Sequence, residues 1–371
     1  MHIGLLREIK NHEYRVGLTP ASIRILVNEG HRVFVEKDAG LGVRISDADY
    51  QKVGATILPS AKDIFAEAEL IIKVKEPQLE ECALINSQHT LFCYLHLAAI
   101  PHIAEKLLAS QCVALAYETV TDINGSLPLL APMSMIAGRL STQVAAHYLE
   151  KAQGGRGILM GGVPGISPAK IVVVGGGVLG SQAAKIAVGM GAEVTVFDQS
   201  SKRLELLEER YGTQIRLRVS EPHALAEALL TADALIGAVL VPGSSTPKLI
   251  SRSMMASMQQ GSVIVDASID QGGCCESSRG TTFDLPIFTE AGVIHYCVTN
   301  MPGGVPLTST GALNHATLPF IRQLAKKGYQ KACLDNEYLR NGLNLCQGQV
   351  THEAVAVALG KPYVSQITAL L

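Results

Sequence analysis

Short apolar runs rich in β-branched residues alternate along this chain with longer segments whose apolar positions recur every three or four residues. The first run, residues 2–6, is followed by a helical segment with Thr19 as N-cap, Pro20 at the first helical position and Gly30 at the end. This alternation is typical of repeated βαβ units, which build parallel sheets. The pattern therefore predicts an α/β fold.

The other apolar runs predict strands in two series. The first series is 2–6, 32–36, 70–75, 90–96 and 113–117, and the second is 170–174, 193–197, 215–219, 234–239, 262–266 and 293–298. A long helical pattern covers residues 131–153 between them. Six strands in the second series are the number that a complete dinucleotide-binding sheet requires. After Pro306 we expect only helices, at about 308–327, 335–345 and 350–359, and no further strand.

These elements predict two Rossmann-like domains with parallel sheets. The terminal helices are too few to form a third domain, so we expect them to pack against the amino-terminal domain. The nucleotide domain, residues 129–307, is then inserted into a discontinuous substrate domain formed by residues 1–128 and 308–371. A chain of 371 residues is long enough for two such domains.

Composition narrows the class of ligand. The net charge is −2, only 17% of the residues are charged, and no basic run alternates with aromatic residues. Nucleic acid and anionic membranes are therefore disfavoured as partners, and a small molecule is favoured. The eight cysteines form no CxxC pair, so we expect buried free thiols in a reducing compartment. The amino terminus does not resemble a signal peptide, and we expect a cytoplasmic protein.

A glycine motif follows the first strand of the second series. Gly175, Gly177 and Gly180 have the G-x-G-x-x-G spacing directly before a helix, where they permit a tight turn, close approach of a pyrophosphate, and helix–strand packing. Asp198 ends the next strand, 18 residues beyond Gly180, where a carboxylate accepts hydrogen bonds from ribose hydroxyls and repels a 2′-phosphate. NAD is therefore favoured over NADP, although Lys202 and Arg203 follow closely and a cation there can receive a phosphate.

Ligands of open parallel sheets bind beyond the carboxyl ends of the strands. That rule selects Lys75, His96, and either Asp266 or Asp270, together with Arg15 in the loop after the first strand. A guanidinium and an ammonium can hold an α-carboxylate, an imidazole can exchange protons near neutral pH, and a carboxylate can stabilise an iminium and orient water. Lys73 and Lys75 could equally be solvated charges, and the aspartates could be turn residues, so the pattern alone leaves the substrate open.

The whole chain resembles the bacterial L-alanine dehydrogenases. The matching stretches are REIKNHEYRVGLTP, KVKEP, LHLA, GSLPLLAPMSMIAGR, GGVPG, VVGGGVLG, the VSE around Ser220, IGAVLVPG, IDQGG and HYCVTNMPGGVPLTST. The resemblance implies reversible oxidation of L-alanine by NAD and water to pyruvate and ammonium, in L-alanine catabolism, by a homohexamer. Gln323 and Lys327 are poor ligands for magnesium, which prefers carboxylate oxygens, so no metal site is predicted.

By the same resemblance, Arg15 and Lys75 would bind the substrate carboxylate, His96 would be the acid/base group, and Asp270 rather than Asp266 would be the second catalytic residue. The implied NAD contacts are Ser134, Val178, Leu179, Asp198, Arg203, Ser220, Val239, Leu240, Ala267, Ser268, Ile269, Asp270, Arg279, Val298, Thr299, Asn300 and Met301.

Three other functions remain as alternatives. The nucleotide-binding component of a proton-translocating transhydrogenase has a similar fold but needs no amino-acid site, and the presence of Arg15, Lys75 and His96 argues against it. A saccharopine-type or opine-type dehydrogenase would join a larger amine to an oxo acid. A non-catalytic NAD-binding protein would not need this set of acid/base residues.

Overall fold

The computed structural model describes residues 1–239 and 246–371. The chain divides into two compact units: unit 1 consists of Met1–Met133 and Val305–Leu371, and unit 2 of Ser134–Gly304. Among the described residues, no helix combines the length and the apolar character needed to cross a membrane.

The strands are β1 His2–Leu5, β2 Arg32–Glu36, β3 Thr56–Leu58, β4 Leu70–Ile72, β5 Thr90–Cys93, β6 Val113–Ala116, β7 Lys170–Val174, β8 Glu193–Asp198, β9 Ile215–Val219, β10 Ala234–Gly237, β11 Val263–Asp266, β12 Ile287–Glu290, β13 Val293–Tyr296, β14 Leu343–Cys346 and β15 Gln349–Val350. The α-helices are α1 Pro20–Asn28, α2 Asp47–Gln51, α3 Ala61–Glu67, α4 Leu79–Cys82, α5 Pro101–Ser110, α6 Ala131–Tyr148, α7 Val178–Gly189, α8 Ser201–Tyr211, α9 Pro222–Leu229, α10 Arg252–Ala256, α11 Pro306–Asp335, α12 Glu337–Arg340, α13 Glu353–Leu359 and α14 Gln366–Leu370.

Unit 1 is built on an eight-stranded sheet in the order β15-β14-β6-β5-β4-β1-β2-β3. The strands from β6 to β3 pair in parallel, and helix α1 connects β1 to β2 as the sequence predicts. The side chain of Thr19 accepts the backbone N–H of Ser22 at 3.3 Å, and Gly30 ends the helix with a φ of 87°. Buried side chains of the strands and of α5 and α13 form one core cluster on this sheet, which includes Ile71, Leu91 and Leu107.

The prediction that no strand follows Pro306 is wrong. β14 overlaps the end of the predicted helix 335–345 and pairs antiparallel with β6, and β15 pairs antiparallel with β14. All four residues of β14 are buried, which leaves no polar face to give a strand periodicity. Helix α11 is longer than predicted, because the chain continues as helix past a kink at Gly328, where φ is 71°.

Unit 2 is built on a seven-stranded sheet in the order β12-β13-β11-β10-β7-β8-β9. Ile171 and Val173 of β7 belong to one core cluster, while Val172 and Val174 belong to a second cluster on the opposite face. Because both faces are covered, the strand is a continuous apolar run rather than an alternating one. The two sheets are mostly parallel with interleaved helices, which confirms the predicted α/β class.

Two short edge strands were missed in the sequence. β3 has three residues, and β12 pairs antiparallel with β13 across the turn at Ala291 and Gly292, where φ is 47° and 79°. Positive φ at both central residues is typical of a type I′ hairpin, for which Asn-Gly is the usual sequence signal. Ala-Gly at this position did not provide that signal.

Candidate active site

Three of the predicted residues follow neighbouring strands of the unit 1 sheet. Arg15 lies in the loop after β1, Lys75 follows β4, and His96 follows β5. Since β4 pairs with both β1 and β5 in parallel, the three residues lie at the same edge of the sheet. This edge is where ligands of parallel sheets bind.

The guanidinium of Arg15 is buried and is held by Glu13. Its Nε donates to Glu13 Oε1 at 2.6 Å and its Nη2 to Glu13 Oε2 at 2.5 Å, while Nη1 lies 3.1 Å from the Met133 sulfur. Burial alone would lower the pKa of Arg15, but Glu13 outweighs it and raises the pKa above its ordinary value. The Nε–Nη2 edge of the guanidinium is therefore committed to Glu13.

Lys73 and Lys75 differ in their surroundings. Lys75 is half-buried, whereas Lys73 is 1% exposed and lies 2.7 Å from Glu81 Oε1 and 3.3 Å from Glu8 Oε2. Burial raises the pKa of Glu8 to about 7, against the opposing effect of Lys73. Glu8 Oε1 also accepts the backbone N–H of Val74 at 2.6 Å. Lys73, two positions before Lys75, is thus the centre of a buried ionic group and is not a solvated charge.

His96 is exposed and has a left-handed backbone, with φ 47° and ψ 37°. The carboxylate of Glu118 accepts its backbone N–H at 2.6 Å and that of Leu95 at 3.2 Å. Glu118 Oε1 also lies 3.8 Å from His96 Nδ1. The ring of Tyr94 is stacked with that of His96, with centroids 6.0 Å apart. A left-handed conformation is costly for a residue other than glycine, and these contacts stabilise it here.

In unit 2, two of the three motif glycines, Gly175 and Gly180, occupy positions that require glycine. Gly175 has a φ of 100°, and a Cβ there would lie 2.6 Å from the Ala238 carbonyl oxygen. A Cβ on Gly180 would lie 1.7 Å from the carbonyl oxygen of Gly175. A Cβ on Gly177 would meet no described atom within 4 Å, so it would point into the open space before α7, where an anion can approach the helix N-terminus.

Asp198 ends β8 with both carboxylate oxygens oriented by the backbone. Oδ2 accepts the N–H of Gly176 at 2.6 Å, and Oδ1 accepts that of Ser200 at 2.8 Å. The hydroxyl oxygen of Ser220, at the end of the adjacent β9, is buried and has no hydrogen-bond partner in the described part of the chain. A buried hydroxyl without a partner is costly, and a ligand with hydroxyl groups would satisfy it. The glycine turn, Asp198 and Ser220 together fit the adenosine half of a dinucleotide.

The two aspartates near the end of β11 have distinct environments. Asp266 is 0% exposed, and both of its oxygens accept hydrogen bonds from the following loop. Asp270 is exposed and lies in a short helical turn, and its Oδ1 accepts the backbone N–H of Asn300 at 3.1 Å. Of the two, Asp270 is the carboxylate that is exposed to solvent.

The remaining predicted cofactor residues lie in several parts of unit 2, apart from Leu240, which falls outside the described residues. Val239 follows β10, and its N–H donates to Ser268 Oγ at 2.9 Å. The guanidinium of Arg279 lies 4.1 Å from the centroid of the Phe288 ring. The others lie near the starts of α6, α7 and α8 or in the loops after β11 and β13: Ser134, Val178, Leu179, Arg203, Ala267, Ile269, Val298, Thr299 and Met301.

One group in the described ranges has the composition of a metal site, namely Asp266 with Cys274 and Cys275. Hydrogen bonding to Cys275 and burial raise the pKa of Cys274 well above its ordinary value, so this cysteine is a neutral thiol. The backbone N–H groups of both cysteines donate to Asp266 Oδ2, at 2.8 and 3.2 Å. Metal ligation requires a thiolate and free carboxylate lone pairs, so the arrangement favours a structural hydrogen-bond cluster. All eight cysteines are free and buried, as predicted.

The carboxylates that contact the predicted residues were not among the predicted site residues. Glu13 precedes Arg15 by two positions and lies within a stretch that carried the resemblance, so it could have been found there. Glu118 is 22 positions from His96, and Glu8 is 65 positions from Lys73. Those pairings depend on neighbouring strands and have no signal in local spacing.

Comparison with known proteins covers almost the whole chain. Residues 4–137 match the family model "Alanine dehydrogenase/PNT, N-terminal domain", and residues 141–353 match "Alanine dehydrogenase/PNT, C-terminal domain". The alanine dehydrogenase of Halomonas elongata is 53% identical over 364 residues, which are 98% of both chains.

Two solved structures superpose on nearly the whole chain. A structure titled L-alanine dehydrogenase superposes with a TM-score of 0.94 at 49% identity, covering 97% of this chain and 99% of that one. A transhydrogenase from Sinorhizobium meliloti superposes with a TM-score of 0.82 at 25% identity, covering 95% of this chain and all of that one.

Proposed function

The chain belongs to the alanine dehydrogenase/PNT family, and from that premise we propose that it is an L-alanine dehydrogenase that uses NAD. The reaction converts L-alanine, NAD and water to pyruvate, ammonium, NADH and a proton, and runs in both directions. The observation that carries this proposal is the similarity to curated alanine dehydrogenases from end to end, at 53% identity over 98% of the chain. The nicotinamide ring supplies the hydride acceptor when the cofactor is bound.

NAD would be held by the glycine turn and by the residues around it. Asp198 would accept hydrogen bonds from the ribose hydroxyls of the adenosine half, and Ser220 would be satisfied by the same half of the molecule. The pyrophosphate would approach the backbone at Gly177 and the N-terminus of α7. The other proposed contacts are the residues after β10, β11 and β13, with Ser134, Val178, Leu179, Arg203 and Arg279.

Arg15 and Lys75 would bind the carboxylate of alanine or pyruvate. Glu13 engages one edge of the Arg15 guanidinium and fixes the direction of the other, so the arginine is preorganised to receive an anion. A second cation at Lys75 would neutralise the same carboxylate.

His96 would exchange a proton with the oxygen on the reacting carbon, and Asp270 would be the second catalytic residue. An imidazole is suited to gaining and losing a proton near neutral pH, and its exposure leaves its ring nitrogens within reach of a small substrate. The carboxylate of Asp270 would stabilise the iminium of the substrate and orient the water that attacks it. Its exposure and its anchoring by the Asn300 N–H support this role.

The proposal extends to the assembly and the location. The family resemblance favours a homohexamer, which sedimentation velocity would test directly. Eight free buried thiols suit a reducing compartment such as the cytoplasm.

Absorbance of NADH, followed in three separate assays, tests the function. Pyruvate with ammonium tests for alanine dehydrogenase activity, and pyruvate with lysine tests for an opine-type or saccharopine-type reaction. An oxidised nicotinamide analogue tests for transhydrogenation, which is the second candidate function because of the structural similarity to the transhydrogenase. We expect consumption of NADH with pyruvate and ammonium only. Consumption with the analogue alone would identify a transhydrogenase, and no consumption in any arm would leave a nucleotide-binding protein.

A further inference from the structure

The loop that carries Asp270, residues 267–278, is held from inside by the carboxylate of Asp266. Oδ1 accepts the backbone N–H of Ser268 at 3.1 Å, and Oδ2 accepts those of Cys274 and Cys275 at 2.8 and 3.2 Å. The hydroxyl of Ser278 donates to Oδ2 at 2.5 Å. Four N–H and O–H donors from the beginning and the end of the loop therefore converge on a carboxylate that is 0% exposed, and the Cys274 thiol also lies 3.6 Å from Oδ1. A buried charge is stable when hydrogen bonds surround it in this way.

The same loop is held through its carbonyl groups by Lys248. The ammonium donates to the carbonyl oxygens of Gly272 at 2.5 Å, Gly273 at 2.9 Å and Cys275 at 3.0 Å. All three hydrogen bonds of the ammonium are thus made to a single loop. Backbone hydrogen bonds accompany them: the N–H of Thr246 donates to the Gln271 carbonyl, and those of Leu249 and Ile250 donate to the Cys274 carbonyl.

The short helical turn Ile269–Gln271 lies between these attachments. Ser268 precedes this turn: its backbone N–H donates to Asp266, and its hydroxyl oxygen accepts the N–H of Val239. Gly272 follows the turn, and its carbonyl oxygen accepts a hydrogen bond from Lys248. The loop can approach the carboxylate this closely only with glycine at 273, because a Cβ there would lie 2.7 Å from Asp266 Oδ2. Asp270 therefore lies on a segment fixed at both ends, and its own side chain is fixed by the Asn300 N–H.

We infer that Asp266 and Lys248 are positioning residues that clamp the 267–278 loop through its N–H and carbonyl groups and so fix the carboxylate of Asp270 for reaction. This inference rests on the proposed catalytic role of Asp270. Neither residue touches the substrate in this scheme. A reacting group that is misplaced by about 1 Å can lose about 100-fold in rate, so the clamp affects turnover without supplying any chemistry itself.

Four variants test the clamp: Asp266→Asn, Lys248→Met, Lys248→Arg and the control Asp233→Asn. The side chain of asparagine retains only one acceptor oxygen, so some of the loop N–H and O–H groups that donate to Asp266 would lose their acceptor. Lys248 is exposed, so its replacement leaves the core intact if Asp266→Asn does not fold. Asp233 is a matched control because it is also a buried carboxylate of unit 2 that accepts a backbone N–H, from Lys170 at 2.8 Å, but it directly precedes β10 at the opposite edge of the sheet.

Two measurements are made on each full-length variant: kcat and KM with pyruvate and ammonium, and hydrogen exchange at the amides of Ser268, Cys274 and Cys275. We expect Asp266→Asn and Lys248→Met to lower kcat by about tenfold or more with a smaller change in the KM for pyruvate. Exchange at the loop amides should accelerate while that of strand β7 is unchanged. Lys248→Arg should restore most of the rate, because a guanidinium can also donate to several carbonyl oxygens.

Asp233→Asn should lower the unfolding midpoint without lowering kcat or accelerating exchange in the loop. Equal kcat losses in Asp233→Asn and Asp266→Asn would overturn the inference, since the effect would then reflect general stability. Unchanged exchange at the loop amides would overturn it as well, whatever the activity. If the wild-type protein has no activity with pyruvate and ammonium but the exchange results are as expected, the clamp stands and the proposed function fails.

Discussion

Glu118 binds the backbone of His96 and lies close to its ring: its Oε1 accepts the N–H of His96 at 2.6 Å and lies 3.8 Å from Nδ1 of the same residue. A single carboxylate therefore stabilises the left-handed backbone at this position and defines the surroundings of the ring. A histidine that acts as an acid or base needs this kind of orienting partner.

The first prediction concerns that carboxylate. Glu118→Gln retains an acceptor oxygen, whereas Glu118→Ala removes both, so we expect kcat to fall in both variants and further in Glu118→Ala, by about tenfold or more. NADH binding, measured by fluorescence titration, should change little. A loss of NADH affinity as large as the loss of kcat would contradict a role through His96.

The second prediction concerns His96 itself. His96→Ala should abolish turnover, because the imidazole is the proposed proton carrier, and should leave NADH binding nearly intact. Isothermal titration with NADH, beside the turnover assay, separates the two effects. His102, exposed on α5, provides the control His102→Ala, which should retain wild-type turnover.

The third prediction concerns the choice of nucleotide. Asp198→Ala removes the carboxylate that would repel a 2′-phosphate, so the ratio of kcat/KM for NADH to that for NADPH should fall. Because Asp198 also accepts the N–H of Gly176, Asp198→Asn is the companion variant that keeps an acceptor for the turn while removing the charge. An unchanged nucleotide preference in both variants would remove Asp198 from the ribose site.

The fourth prediction concerns the carboxylate that holds Arg15. Glu13→Gln replaces a charged bidentate partner with a neutral one, so the KM for pyruvate should rise by about tenfold while kcat changes less. The exposed pair of Glu29 with Arg322 supplies the control, since Glu29→Gln removes a surface ion pair that does not include Arg15. A KM increase of the same size in Glu29→Gln would show that the effect is not specific to Arg15.

The fifth prediction concerns pH. The pKa of Glu8 is raised by burial to about 7 in the folded protein, so the folded state binds a proton that the unfolded state has already lost. The stabilising contribution is complete below the unfolded pKa of 4.5 and is lost as the pH rises through the folded pKa of about 7. Glu8→Gln lacks this titration but can still accept the Val74 N–H.

Urea unfolding measured between these pH values provides the test. The unfolding free energy of the wild type should fall relative to that of Glu8→Gln by up to about 1 kcal/mol per pH unit. Glu105→Gln, which makes the same change of charge on the exposed face of α5, is the control. Parallel pH curves for the wild type and Glu8→Gln would show that Glu8 does not titrate in this range.

Much of the fold was predictable because the central strands are buried on both faces. The runs at β2 and β7 were predicted with the bounds that the structure has, since an apolar run of strand length between turn residues leaves little choice. Strand β9 was also predicted with its observed bounds, although it is an edge strand in which apolar residues alternate with arginine. Strands β3, β12, β14 and β15 were missed, and all of them except β14 lie at a sheet edge. Their existence depends on a neighbouring strand that offers hydrogen bonds, and the local sequence does not record that neighbour.

The candidate site was predictable to a similar degree. Arg15, Lys75, His96 and Asp198 follow strands, and position at a strand end can be read from the sequence. The choice between Asp266 and Asp270 could not be made by position, because they are four residues apart near the end of one strand. Only the burial of Asp266 and the donors around it separate their roles.

The buried thiols give this protein a set of internal reporters of local opening. Burial raises the pKa of Cys297 and of Cys333 to about 12, so in the closed state a thiol reagent meets neither an accessible sulfur nor a thiolate. Labelling must then wait for the surrounding segment to separate from its neighbours. Because Cys93 and Cys333 lie in unit 1 and Cys274 and Cys297 in unit 2, the labelling rate of each cysteine would measure how often its own part of the chain opens.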